Sequence, residues 1–313
     1  MKKIILINIL IIIFLLILLE FFCRYILDFN VQGISSNLID QNKSIFFNNK
    51  NLKNAKAFGV KIYTDENGFR IQKDLKIKNA KKILFIGGSV TFGPGILAEN
   101  TFVGKLNKIN KKSVENASVI GSNLENNYKL FEKFTENNKV EKIFISLGFD
   151  DLNNDHVFNL PEKNNDKKSK SISIIRNFNK YLRAKSASYV YFKTFLADAK
   201  KNYYINELPK YKNLKSINEA KLIFNKFVPK KEKIFFYIIP YAEQVNMKSC
   251  KEKDIGETFF EKVLNEKQFN FLSLKKEFCK YKNPEKLYLV NDPAHLSKIG
   301  HDLTFNVIRE YLN

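Results

Sequence analysis

No group of histidines and cysteines falls at metal-ligand spacing in this chain, whose 313 residues include only three of each, so the sequence implies no metal. A phosphate loop of the form G-x-x-x-x-G-K-[ST] is missing: Gly88 and Gly93 have the separation, but Pro94 stands where the lysine belongs. A dinucleotide fingerprint G-x-G-x-x-G begun at Gly93 fails after Gly95, where Ile96, Leu97 and Ala98 follow, so no organic cofactor is implied either. Arg-rich blocks and nucleic-acid motifs are also wanting. The net charge of +21 comes from lysines scattered among Asn and Ile along nearly the whole chain, which reads as a solvating surface bias and not as a nucleic-acid site. Attraction to an acidic glycan or to anionic lipid headgroups is the alternative left open. There is no internal repeat.

Long apolar runs are scarce as well; the first segment alone is long enough to cross a bilayer. It is apolar from Ile4 to Leu19 apart from Asn8, and apolar residues continue past Glu20, within the roughly 17 to 25 residues a membrane helix needs. Phe21, Phe22, Cys23 and Arg24 do not form a small-residue cleavage site, and small residues are missing before Cys23, so neither a cleaved signal peptide nor a lipoprotein cysteine fits. The expected organisation is an uncleaved signal anchor over residues 1–29, a polar tether over 30–57 and one domain over 58–313. Lys2 and Lys3 precede the span, which places the domain on the exported side as a single-pass membrane protein. Cys250 and Cys279 then lie where a disulfide can form. Two cysteines make no disulfide scaffold, and the sequence does not say whether they meet.

Within the domain, short apolar runs at Ile83–Ile86, Ala117–Ile120, Ile143–Leu147, Ile234–Ile239 and Phe269–Leu274 read as strands. Thr101–Asn110, Leu124–Asn137, Leu214–Phe227, Glu257–Asn265 and Lys298–Leu312 have helical spacing. This alternation predicts an α/β fold with a mainly parallel central sheet between two layers of helices, and ligands at the carboxyl ends of the strands. Residues 153–171 form a polar insertion, followed by an aromatic and Lys-rich stretch expected to be helical to about residue 204.

"KKILFIGGSVTFGPG" runs a buried strand into Gly87, Gly88 and Ser89. The nucleophile elbow G-x-S-x-G fails at Thr91, so Ser89 stands at a strand end outside the common patterns. Near the C-terminus, "NDPAHLSKIGHDL" places Asp292 and His295 three residues apart around Pro293. A serine hydroxyl needs a base within hydrogen-bond reach, and a carboxylate on the far ring nitrogen fixes the tautomer of that base. The lesser alternatives are Ser89 as a helix cap, and Asp292 and His295 as turn and helix-start residues. His301 reads as structural, His156 as a solvated loop residue, and Arg70 as either a substrate ligand or the partner of a carboxylate.

Taken together these blocks resemble the SGNH, or GDSL-type, hydrolases, whose fold is a flavodoxin-like three-layer α/β/α sandwich. "GGSVTFG" is similar to the first block with Gly88 at the usual Asp position, "NASVIG" to the second, "LGFDD" to the third and "DPAHLSKIGH" to the fifth; "YTDENGFR" resembles a lead-in found in bacterial members. The resemblance covers about Phe58 to Leu312. It implies Ser89 as nucleophile, His295 as base, Asp292 as its orienting acid, and the N–H groups of Ser89 and Gly121 as oxyanion donors. The third block departs from the family, because Asp150 replaces an Asn whose amide donates to the oxyanion, and an ionised carboxylate only accepts. The implied activity is serine esterase chemistry, removing acetyl or a similar small acyl group from a cell-surface glycan or another small ester. The same triad fits an O-acyltransferase, and the Asp150 departure fits a catalytically silent envelope binding module. The sequence fixes no oligomeric state.

Overall fold

The computed structural model describes residues 2–40, 45–73, 81–136, 140–152, 167–196, 198–246 and 248–312. In chain order, α1 (Lys2–Phe21) is followed by β1 (Ile39–Asp40), β2 (Phe47–Asn48), β3 (Ala55–Ala57), β4 (Val60–Thr64), β5 (Arg70–Ile71) and β6 (Lys82–Ile86). Next come α2 (Ser89–Phe92), α3 (Phe102–Ile109), β7 (Ser113–Asn116), α4 (Leu124–Thr135) and β8 (Val140–Leu147). Three helices, α5 (Lys167–Lys185), α6 (Ala187–Leu196) and α7 (Ala199–Glu207), precede α8 (Leu214–Phe227) and β9 (Ile234–Ile238). The chain closes with α9 (Ile255–Glu266), β10 (Asn270–Ser273), α10 (Lys275–Lys280) and α11 (Lys298–Ile308).

Eight strands form one sheet in the order β10-β9-β8-β6-β7-β5-β4-β3. The five from β10 to β7 are parallel, and β5, β4 and β3 extend the edge antiparallel. Of the parallel strands, β6, β8 and β9 read as apolar runs because both their faces are buried. Phe85, Phe144 and Phe235 share a register line and meet Phe102 of α3 and Tyr311 on one face. The next residue of β9, Phe236, points the other way and packs on Phe224 and Phe227 of α8. This two-residue alternation sandwiches the sheet between α3 and α11 on one side and α4 and α8 on the other. After β6 the chain crosses to β7 on one side and then to β8 on the other, so the strand order reverses at β6. In open α/β sheets the carboxyl end of such a switch point is where ligands bind.

Two expectations change. The strand expected at Ala117–Ile120 lies at Ser113–Asn116. Its polar residues are satisfied inside the fold, with Glu115 paired to Lys82 at 3.0 Å and accepting from Ser113, so burial there carries no apolar signature. Residues 117–120 continue alongside β6, where the N–H groups of Ala117 and Val119 donate to the carbonyls of Phe85 and Gly87. The second change concerns Asn30–Lys56, expected as a tether. Leu38, Ile39 and Phe47 join the main core, and Asn48 donates to the carbonyls of Gly68 and Ser118, so the described part of this segment is packed onto the domain. His156 and most of the polar insertion, residues 153–166, lie outside the described residues.

Among the described residues, one helix, Lys3–Ile26, is long and apolar enough to cross a membrane. Cys250 and Cys279 are joined by a disulfide, and Cys23 is free and buried.

Candidate active site

Ser89 is the first residue of the single-turn helix α2, directly beyond the carboxyl end of β6. The two glycines before it make room. A Cβ on Gly87 would lie 1.8 Å from the Ser146 hydroxyl of β8, and one on Gly88 would lie 3.2 Å from the Ser122 carbonyl. Gly93 ends α2 at φ 79°, a left-handed conformation that glycine adopts without strain, and donates its N–H to the Ser89 carbonyl at 2.8 Å. The strand can therefore pass its neighbours closely and still turn sharply enough to present the serine.

The loop before α11 brings the other two groups. Oδ1 of Asp292 accepts from the backbone N–H of Ala294 at 2.9 Å and of His295 at 2.8 Å, and both its oxygens lie 2.9 Å from His295 Nδ1. His295 Nε2 is 2.9 Å from Ser89 Oγ. A carboxylate only accepts, so Nδ1 carries the proton and Nε2 is left to accept from the serine hydroxyl. The loop is fixed to the sheet by the Ala242 N–H, which donates to the Pro293 carbonyl at 2.9 Å just beyond β9. The ring of Phe58 meets the imidazole edge-on at 5.0 Å.

Burial disfavours charge on both members of this pair. For His295, the charge of Asp292, its hydrogen bond and the charge of Asp150 outweigh burial and raise the imidazole above its usual 6.5. For Asp292, the His295 charge and three hydrogen bonds outweigh burial and hold the carboxyl below its ordinary value.

Gly121 sits at φ 81° at the end of the segment running beside β6. Among the described residues, neither its N–H nor that of Ser89 has a hydrogen-bond acceptor. Two donors near a nucleophile are what a developing oxyanion requires. Also among the described residues, no three His, Cys, Asp or Glu side chains gather as a metal site would need.

No family model and no curated protein matches the chain. Among solved structures it is similar to a lipase/acylhydrolase from Enterococcus faecalis, at 14% identity, 74% of this chain, 97% of that one and a TM-score of 0.42. It is similar to the acetylxylan esterase Axe2 from Geobacillus stearothermophilus, at 14% identity, 76% and 97% coverage and a TM-score of 0.42. The psychrotrophic esterase EstA from Pseudoalteromonas sp. gives 11% identity, 74% and 99% coverage and a TM-score of 0.41. These likenesses are distant, and the chemistry open to the site is set by its own geometry.

One sequence expectation is corrected at this site, and the place of a doubtful one is described. Arg70 is buried, 4% exposed, and its guanidinium donates to the carbonyls of Phe92, Gly93 and Ile96. Among the described residues it makes no ion pair with a carboxylate; its three carbonyl contacts fasten the loop that follows α2. Burial pulls its pKa down to about 9, still above neutrality. Asp150, which the sequence leaves doubtful as an oxyanion donor, accepts on both oxygens, from the Tyr203 hydroxyl at 2.9 Å and from the Tyr241 hydroxyl. Among the described residues its hydrogen-bond partners are two phenols and no cation. His301, expected to be structural, is fully buried and accepts from the Phe102 N–H at 3.3 Å, with burial first and the charges of Arg70 and Lys105 next pushing its pKa down to about 3.

Tyr203 and Tyr241 were not found by sequence reasoning. Tyr241 lies just past the end of β9, a position at which parallel strands place functional groups, and that signal was available. Tyr203 lies on α7, with no local pattern linking it to Asp150.

The Asp150 charge is one of the factors that raise the His295 pKa, and His295 must be neutral to act as a base. Activity therefore falls as pH drops through that raised pKa. In Asp150→Asn the charge is gone, the imidazole pKa falls, and the acid limb of kcat/KM is expected to move to lower pH. The plateau should change by less than about tenfold, because the carboxylate was not serving the oxyanion. A pH–rate profile checks both; an unmoved limb, or a hundredfold lower plateau, contradicts this account.

Proposed function

We propose that the chain is a membrane-anchored, exported serine esterase of the SGNH type that removes acetyl or a similar small acyl group from a cell-surface glycan. The observation that carries the reaction class is the unbroken hydrogen-bond chain from Ser89 through His295 to Asp292 at the switch point of the sheet. As Ser89 Oγ attacks the ester carbonyl, Nε2 of His295 takes its proton, and Asp292 stabilises the imidazolium that forms. The N–H groups of Ser89 and Gly121 receive the oxyanion. Collapse of the tetrahedral species breaks the ester bond, and His295 returns the proton to the departing alcohol. Water, deprotonated by the same imidazole, then releases the acyl group from Ser89.

Placement supports the substrate. The apolar helix Lys3–Ile26, with Lys2 and Lys3 before it, would hold the domain at the exported face of a membrane, and the Cys250–Cys279 disulfide accords with an oxidising compartment. A fluorophosphonate probe on the full-length protein tests the reaction class: one adduct on Ser89, blocked by prior acylation, is expected. A silent binding module would not label. Acetate release from an acetylated glycan, measured with and without a second glycan as acceptor, separates hydrolysis from transfer, since a transferase would move the label to the acceptor.

A further inference from the structure

The helices after the polar insertion are fastened to the end of α1. The Glu20 carboxylate accepts from the backbone N–H groups of Ala187 at 2.8 Å and Ser188 at 3.0 Å, where α6 begins, and from the hydroxyls of Ser186 and Ser188. Arg24 pairs with Glu20 at 2.7 Å and donates to the carbonyl of Lys185, the last residue of α5, at 2.8 Å. Cys23, Phe29, Val31, Ala187 and Val190 close a small apolar cluster around this joint. The run from Ile4 to Leu19 spans about 24 Å as helix, most of a bilayer core, so the joint sits at the height where α1 leaves the membrane.

α5 leaves that joint with an uncovered apolar side. Ile175, Phe178 and Tyr181 are 69%, 62% and 60% exposed. At about 100° per residue, these three and Leu182 fall within an arc of roughly 120°, and Arg176, Lys180 and Arg183 lie on the opposite side. From Lys167 to Ala197 the sequence has eight basic residues and no acidic one. A helix facing water on all sides does not align large apolar side chains in this way, whereas a basic helix lying in a membrane interface does.

We propose that α5 lies in the interfacial layer of the membrane that α1 crosses, with Ile175, Phe178 and Tyr181 at the acyl boundary and Arg176 and Lys180 among anionic phospholipid headgroups. This rests on reading α1 as membrane-spanning. α6 reaches the catalytic loop, where Asn291 Nδ2 donates to Thr194 Oγ1 at 3.3 Å, so the seated arm fixes how far the nucleophile stands from the bilayer. A cavity of about 540 Å³, lined by Asp28, Asn30, Gly95, Leu289 and Asn291 among others, lies between that loop and the residues that follow α1.

The chain has no tryptophan, so one introduced tryptophan reports on its position alone. Full-length Phe178→Trp, reconstituted in phosphatidylcholine/phosphatidylglycerol vesicles, is expected to lose emission about twofold when the lipids are brominated near the headgroup, and to resist aqueous acrylamide. Leu222→Trp, on the exposed side of α8, should behave oppositely. Phe14→Trp, near the middle of α1, reads the anchor by itself against lipids brominated deep in the acyl chains. Bromolipid quenching at Phe14→Trp without quenching at Phe178→Trp overturns the proposal while the anchor stands. Absence of quenching at Phe14→Trp overturns both. Protection of Phe178→Trp from bromolipid and acrylamide alike means a second copy covers the face, and also overturns the proposal.

Discussion

Ser89→Ala is expected to lower ester turnover about a million-fold and to leave the fold as stable as before. The loss is large because the hydroxyl is the atom that forms the acyl bond; once it is gone, His295 and Asp292 have nothing to activate. Stability should be untouched. Among the described residues the only side-chain partner of the Ser89 hydroxyl is His295 Nε2, the residue is partly open, and alanine is the best helix former. Residues that act as a unit are strongly non-additive, so Ser89→Ala combined with His295→Ala should be no slower than Ser89→Ala alone. Steady-state kcat/KM and thermal melting of the three proteins check this. Turnover within tenfold of the parent in Ser89→Ala, with an unchanged melting temperature, would place the nucleophile elsewhere.

What could be read in the chain without coordinates divides along physical lines. β6, β8 and β9 were legible because strands buried on both faces must be apolar, β10, a partly exposed edge strand, from the apolar run that contains it, and α8 end to end from its helical spacing. β7 was not, since Glu115 and Ser113 are buried but internally paired, and the adjacent apolar run drew the strand four residues downstream. The packing of residues 30–56 was hidden by Asn, Ser and Lys, whose polar groups find backbone partners as Asn48 does. At the site, Asp292 and His295 were legible as a local pair, and Ser89 as a serine where a buried strand stops on glycine. Their meeting across 206 residues follows from the topology: a loop docked beside β9 reaches the end of β6 over the intervening β8. The surroundings of Asp150 were illegible for the opposite reason. Its partners come from a helical insertion and from another strand end, and their contact is a product of packing alone.

The second large effect is expected at Asp292, and it should arise from a tautomer and not from lost structure. In Asp292→Asn the amide oxygen is expected to keep the Oδ1 position, because two backbone N–H groups, of Ala294 and His295, must still find an acceptor there. That leaves the amide nitrogen in the Oδ2 position, 2.9 Å from Nδ1, with a donor aimed at it. Nδ1 must then accept, the ring proton moves to Nε2, and Nε2 can no longer accept the Ser89 proton. Turnover is expected to fall about ten-thousand-fold at neutral pH with the loop in place. The imidazole also loses the nearby charge that helps raise its pKa, so any residual activity should keep its acid limb at lower pH than the parent. Ser89 should still label slowly with a fluorophosphonate, because N–H donors stay in place. A crystal structure of the variant with the loop displaced would assign the loss to folding, and parent-like turnover with the loop intact would remove Asp292 from the chemistry.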